Sequence, residues 1–211
     1  MYVPSHNRMD DRAEQLAFMR QYSFAALVST GAGPGNGAAL QATHLPFVVV
    51  EEGGALRLLA HQARANPQWR DFVGGGEVLV IFQGPHAYIS PSLYQRQPSV
   101  PTWNYAAIHA YGSLRLLESR EDKLRALRAL VGANDVPYLA EMERLPEDFL
   151  ALKLQGIVAF EIAVSRIEAR WKLSQDRLPQ ERNTIVEALA RSADSAALET
   201  AALTRKLDPA P

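Results

Sequence analysis

The chain contains no cysteine. Disulfides, thiolate nucleophiles, Cys-ligated zinc and iron–sulfur clusters are therefore excluded. Positive charge is not in excess either: 22 Lys and Arg against 23 Asp and Glu leave a net charge of −1. No basic field steers such a chain to nucleic acid. No apolar run approaches the roughly 18 residues of a membrane-spanning helix, and Met1-Tyr2-Val3-Pro4 opens no basic–apolar–small targeting pattern. The cytoplasm is the expected compartment, with no membrane partner. Hydrolytic signatures are missing as well: there is no Gly-x-Ser-x-Gly elbow, no paired-carboxylate motif and no Walker loop. The histidines, His6, His44, His61, His86 and His109, fit no metal-ligand spacing. Gly31-Ala32-Gly33-Pro34-Gly35-Asn36-Gly37 holds no Lys or Arg, which makes it a poor phosphate cradle and a good hairpin connection.

What is present is an ordinary globular composition, 47% hydrophobic and 21% charged over 211 residues. That length fits one domain, or one domain with a small appendage, and needs no covalent staple. Asp10 or Asp11 caps a helix to about Tyr22. Strands are expected from Phe24, from Leu40 to Glu51, and from Ala55 to His61, the last two joined by a tight Glu52-Gly53-Gly54 turn. Asn66-Pro67 opens a short helix, with Pro67 at the position where a missing N–H costs nothing. Further strands follow at Glu77–Phe82, His86–Ser90, Trp103–Glu118 and Ile157–Ile167, and Ser119 caps an amphipathic helix. Residues 134–155 read as broken helix. From Glu181 the chain is alanine-rich and helical, and it frays at Asp208-Pro209-Ala210-Pro211. The pattern is mainly β (α+β): a closed antiparallel barrel of six or seven strands with peripheral helices, residues 1–180, then a helical C-terminal extension, 181–211.

Four motifs mix aromatic, amide, hydroxyl and basic side chains beside turn formers, a combination suited to a planar, phosphorylated ligand. In His61-Gln62-Ala63-Arg64-Ala65-Asn66-Pro67-Gln68-Trp69 a strand runs into a helix N-terminus, where backbone N–H groups and the Arg64 fork suit an anion. The alternative is a solvated Arg64 and a simple Asn66 cap. In Pro101-Thr102-Trp103-Asn104-Tyr105, alternation sends both aromatics to one face and Asn104 to the other. The pair covers a flat ring or plugs a barrel end. Gly84-Pro85-His86-Ala87-Tyr88-Ile89-Ser90-Pro91 reads as a turn and an edge strand. Trp171-Lys172-Leu173-Ser174-Gln175-Asp176-Arg177 sets a cation, a hydroxyl and an amide after a strand ending near Arg170. Within Thr43-His44-Leu45-Pro46, Pro46 interrupts its strand, a place for a ligand to lie against the backbone.

These motifs, with Met1-Tyr2-Val3-Pro4 and Thr43-His44-Leu45-Pro46-Phe47, resemble the PaiB family, described as FMN-binding negative transcriptional regulators. The likeness runs from Met1 to about Arg177. It implies a split-barrel FMN-binding fold and a homodimer with two flavin sites at the subunit interface. By that likeness Arg64 holds the phosphate, helped by His61 and the helix start at Asn66. Thr43 and His44, with Trp103, Asn104 and Tyr105, border the ring and ribityl chain. Lys172, Ser174 and Gln175 arrive from the partner subunit. Asp176 stands where the family usually has Asn, and Ala169-Arg170 where it tends to have Gly before the Trp-Lys pair.

The resemblance implies a regulator, with a flavin-dependent oxidoreductase (an NAD(P)H:flavin reductase or oxidase) as the alternative. Haem ligated by His61, His44 or His109 is a third reading. No general acid or base stands out; His44 and Tyr105 are the nearest candidates. The helices expected at 181–191 and 196–206 suggest a helix-turn-helix, yet residues 181–211 carry five acidic against four basic side chains. Direct DNA binding is possible but unsupported by charge.

Overall fold

A computed structural model describes residues 1–32 and 38–207. The glycine-rich connection expected across 33–37 and the fraying expected at 208–211 lie outside the described residues. The elements run α1 (Arg12–Gln21), β1 (Phe24–Ala32), β2 (Ala38–Pro46), β3 (Val48–Glu52), β4 (Ala55–Ala63), β5 (Glu77–Ile89), β6 (Thr102–Leu117), α2 (Arg120–Asn134), α3 (Tyr138–Met142), α4 (Glu147–Gln155), β7 (Ile157–Lys172), α5 (Pro179–Leu189) and α6 (Ser195–Leu207). The seven strands form one sheet in the order β2-β1-β5-β6-β7-β4-β3.

Local chemistry sets most boundaries. The Asp11 carboxylate accepts from Glu14 N at 3.0 Å at the start of α1, and Ser119 Oγ accepts from Asp122 N at 3.0 Å at the start of α2. Gly53 and Gly54, at φ 57° and 82°, make the two-residue turn between β3 and β4. Positive φ at both positions is what a type I′ hairpin demands. Gly112 in β6 meets a different demand: a Cβ there would stand 2.2 Å from the Ala163 carbonyl oxygen of β7.

Three strand expectations need correction. The strand expected from Leu40 to Glu51 is two, parted at Phe47. β2 pairs with β1 and β3 with β4, so the chain crosses here from one end of the sheet order to the other. The ring of Phe47 is buried against Phe82 at 6.0 Å, and its N–H donates to Ser23 O. Pro46 therefore marks the crossing of the sheet's two edges. Conversely, Gly84-Pro85 does not break β5, which runs unbroken for 13 residues. Its ladder with β1 covers Leu79 to Ile81, so the missing N–H of Pro85 costs no hydrogen bond to β1. Finally, β7 extends to Lys172, carrying Trp171 and Lys172 within the strand.

The chain divides into two compact units. The first comprises Met1–Gln15, Gln83–Ile108 and Glu168–Pro211. Its apolar core joins Ala87 and Ile89 of β5 and Tyr94 to Ile185, Val186 and Leu189 of α5 and Ala197 and Ala201 of α6. The second unit comprises Leu16–Phe82 and His109–Ile167. There Leu59, Leu117, Ala126 and Ala159 pack together, and Leu124 of α2 buries against Met142 and Leu154.

Candidate functional site

The candidate residues fall into two groups, one in each unit. In the second unit β2, β4 and the turn after β4 carry Thr43, His44, His61, Arg64 and Asn66. Asn66 Nδ2 donates to Thr43 Oγ1 at 2.9 Å, while its Oδ1 accepts from Gln68 N at 3.0 Å. The amide thus caps the helical turn Pro67–Gly74 and ties it to β2 in one arrangement. Gln68 is fully buried, and its Nε2 donates to Ser29 Oγ at 3.0 Å and to the carbonyls of Leu27 and Gln41 at 3.3 Å. Gln62 Oε1 and Gln68 Oε1 are buried without a hydrogen-bond partner. Burial lowers the His61 imidazole below the usual histidine value. His44 lies exposed on β2 and stacks on Phe24, ring centroids 6.1 Å apart.

Arg64 is exposed and already engaged. Its Nε donates to Gln155 O at 2.9 Å and its Nη2 to Ile157 O at 3.4 Å. The guanidinium also lies 5.7 Å from the Trp69 ring centroid. Arg64, Trp69, Glu118 and Lys123 line a cleft of about 130 Å³. Burial, with the nearby Arg64 charge, depresses the Lys123 ammonium.

The first unit holds the other group, on β6 and the end of β7. Alternation along β6 is as expected: Trp103 is 53% exposed, Tyr105 half-buried and Asn104 0% exposed. Trp103 stands beside His86 and Tyr88 at 5.9 and 6.0 Å, and Arg170 lies 5.3 Å over the Tyr105 ring. Lys172 donates to the Thr102 hydroxyl and, at 2.7 Å, to the Trp103 carbonyl. Burial, then the Arg170 charge, pushes its ammonium below the usual lysine value. Ser174, at φ 64°, donates to Asn104 Oδ1 at 3.1 Å. Asn104 Nδ2 is buried with no partner. Gln175 folds back on its own turn, its Nε2 donating to Trp171 O and its Oε1 accepting from Leu173 N. Asn104, Lys172, Ser174, Arg170 and Arg177 share a cleft of about 220 Å³.

Residue reading singled out the aromatic pair, the amide between them and Lys172, which the fold brings together on β6 and the end of β7. It did not single out Arg170, Arg177, Lys123 and Gln68, whose neighbours are distant in sequence. Among the described residues no group of three or more His, Asp or Glu is placed to hold a metal, and no helix is long and apolar enough to cross a membrane.

Comparison with known proteins agrees with the fold and the motifs. The family model described as "Putative FMN-binding domain" matches residues 1–166. The chain is 37% identical over 206 residues to the Bacillus subtilis "Protease synthase and sporulation protein PAI 2", covering 96% of each chain. Among solved structures, the FAD and heme binding protein of Mycobacterium smegmatis superposes with a TM-score of 0.59 at 14% identity, covering 79% of this chain and 73% of that one. The flavocytochrome Anf3 of Azotobacter vinelandii gives a TM-score of 0.59 at 14% identity, covering 81% and 72%. The fold in common is the split barrel, an antiparallel sheet with helices.

Proposed function

Because the chain belongs to the FMN-binding family of that model and of the Bacillus subtilis relative, it is an FMN-binding split-barrel protein, and we propose that its output is regulatory. One observation carries the fit of residues to cofactor: the buried Asn104 Nδ2 has no partner, in the cleft it shares with Lys172 and Ser174. A buried donor left unpaired costs about 1–3 kcal/mol. An acceptor-rich ligand in this cleft removes that cost. When bound, FMN supplies a ring that exchanges electrons reversibly. The protein's share is to hold it: Trp103 and Tyr105 cover the ring, and Asn104, Ser174 and Lys172 present donors to its oxygens. Thr43, His44, His61, Arg64, Asn66 and Gln175 border the ribityl chain and the rim.

The two groups of side chains complete one site in a homodimer, each flavin lying between a group from one subunit and a group from its partner. The outward face of β1 and β2 supports a second copy there. Leu40 is 78% and Phe24 67% exposed, with Ala42 and His44 between them on the same face. Such an uncovered apolar sheet face suits an interface.

Regulation is favoured over turnover by the name of the Bacillus relative, which concerns protease synthesis and sporulation rather than a substrate. The route through DNA is the less supported one, because α5 and α6 spend their apolar faces on the core and the chain has no basic excess. The test is to titrate purified protein into FMN and follow flavin fluorescence, then to add NADPH or NADH. Stoichiometric quenching with no reductant consumption above that of free FMN supports a flavin-responsive regulator. Rapid steady-state oxidation of the reductant overturns it in favour of an oxidoreductase.

A further inference from the structure

Two irregular segments of the first unit meet at the cleft that holds Asn104 and Lys172. Residues 94–101 lead into β6 and supply Val100 and Pro101; residues 173–178 lead from β7 into α5 and supply Ser174, Asp176 and Arg177. Neither segment has a strand or helix ladder of its own, so other bonds must fix its position. Inside the cleft that bond comes from Ser174, which at φ 64° occupies a backbone region non-glycine residues rarely adopt and donates to Asn104.

Outside the cleft lining, both segments converge on Glu181. This carboxylate is buried in the first turn of α5. Its Oε1 accepts from Gln95 N at 2.8 Å and from Arg96 N at 3.4 Å, and its Oε2 accepts from Leu178 N at 3.4 Å. A glutamate at the third helical position ordinarily reaches back to the residue before the helix, which accounts for Leu178 alone. The bonds from Gln95 and Arg96 cross 86 and 85 positions of sequence, and helix capping does not require them. Being charge-assisted, they are roughly twice as strong as bonds between neutral groups. Arg177 reinforces the join by lying 4.0 Å over the Tyr94 ring. Tyr94 in turn packs with Ile185, Val186 and Leu189 of α5 and with Ala197 and Ala201 of α6.

We infer that Glu181 is a positioning residue for the cofactor cleft: one carboxylate sets the spacing of two segments that line it, and so links flavin binding to the seating of α5 and α6. A ligand that favours the spacing Glu181 enforces is held more tightly because of it, and by reciprocity its binding steadies those bonds. The inference rests on the cofactor reading above and adds the route by which occupancy reaches the C-terminal helices.

Amide exchange of wild type with and without FMN tests the link before any substitution is made. Bound FMN should slow exchange at Gln95, Arg96 and Leu178 by about fivefold or more. Glu181→Gln keeps the size but turns one acceptor into a donor, so it can hold one segment and must release the other. It should lose about fivefold or more in FMN affinity, and with it most of the FMN-induced protection. Glu187→Gln, on the exposed face of α5, should match wild type in both. A role confined to the fold would lower the melting temperature of Glu181→Gln and leave its FMN affinity unchanged, and that result overturns the inference. FMN that binds wild type without altering exchange at the three amides overturns it too, and leaves FMN binding standing. If FMN does not bind wild type, the cofactor reading fails and the link fails with it.

Discussion

Asn104 is the residue at which stability and binding pull apart. Its side chain is fully buried, accepts one hydrogen bond from Ser174 and leaves Nδ2 unpaired. Asn104→Leu removes the unpaired donor but leaves the Ser174 hydroxyl without its acceptor, whereas adding Ser174→Ala removes both partners of that bond, a change close to neutral. Asn104→Leu/Ser174→Ala should therefore melt within about 1 kcal/mol of wild type while losing at least tenfold in FMN affinity, measured by thermal denaturation and fluorescence titration together. An equal loss of both would mean that the amide serves only the fold. His61 supplies the pH test. Its imidazole is held below the ordinary value of about 6.5 by burial, so the unfolded chain takes up the proton first. The stability it supports is then present above about pH 6.5 and lost as pH falls through the lower folded value. An NMR titration should place the His61 midpoint below that of a free histidine, and His61→Phe should flatten the loss of stability between neutral and mildly acidic pH.

At the level of elements, boundaries were legible wherever one side chain decides them. Asp11, Ser119, Asn66 and the Gly53-Gly54 turn all act within a few residues of themselves, and each does what its local chemistry dictates. Ser119→Ala should cost about 1 kcal/mol, read as a lower urea midpoint with an unchanged slope. The elements that departed from expectation depend on partners far along the chain. Pro46 interrupts its strand because β3 seeks β4, and Pro85 fails to interrupt β5 because the β1 ladder has already ended. Neither fact is written near the proline. Gly112 belongs to the same class. Only the nearness of Ala163 makes it obligatory, and Gly112→Ala should destabilise by roughly 1–3 kcal/mol through a backbone clash that no rotamer relieves.

For the whole molecule, an antiparallel sheet of six or seven strands was legible in the strand pattern, and the FMN-binding family in the motifs, because cofactor chemistry concentrates unusual residues in short runs. The surroundings of those motifs were not. Arg170 and Arg177 gain significance only from the cleft they share with Lys172, and Arg64 loses some once its carbonyl partners are known. Association is the molecular-scale prediction. Leu40→Glu, placed on the exposed face of β2, should convert a dimer to monomer in sedimentation equilibrium and weaken FMN binding at the same concentration. A variant that stays dimeric with unaltered affinity would move the interface elsewhere.

The two ends of the sheet, β2 and β3, are separated in the chain by Phe47 alone, and this orders the folding reaction in time. The β3–β4 hairpin needs only a two-residue turn, and such local pairings form in about 1–10 μs. β4 then waits for β7, a pairing that sets Ala60 against Phe160, and contacts so distant in the chain carry the main entropic barrier. Pulse-labelled hydrogen exchange during refolding should therefore protect β3 amides paired to β4 before those that β4 shares with β7. The chain clasps its two margins early and admits its centre last.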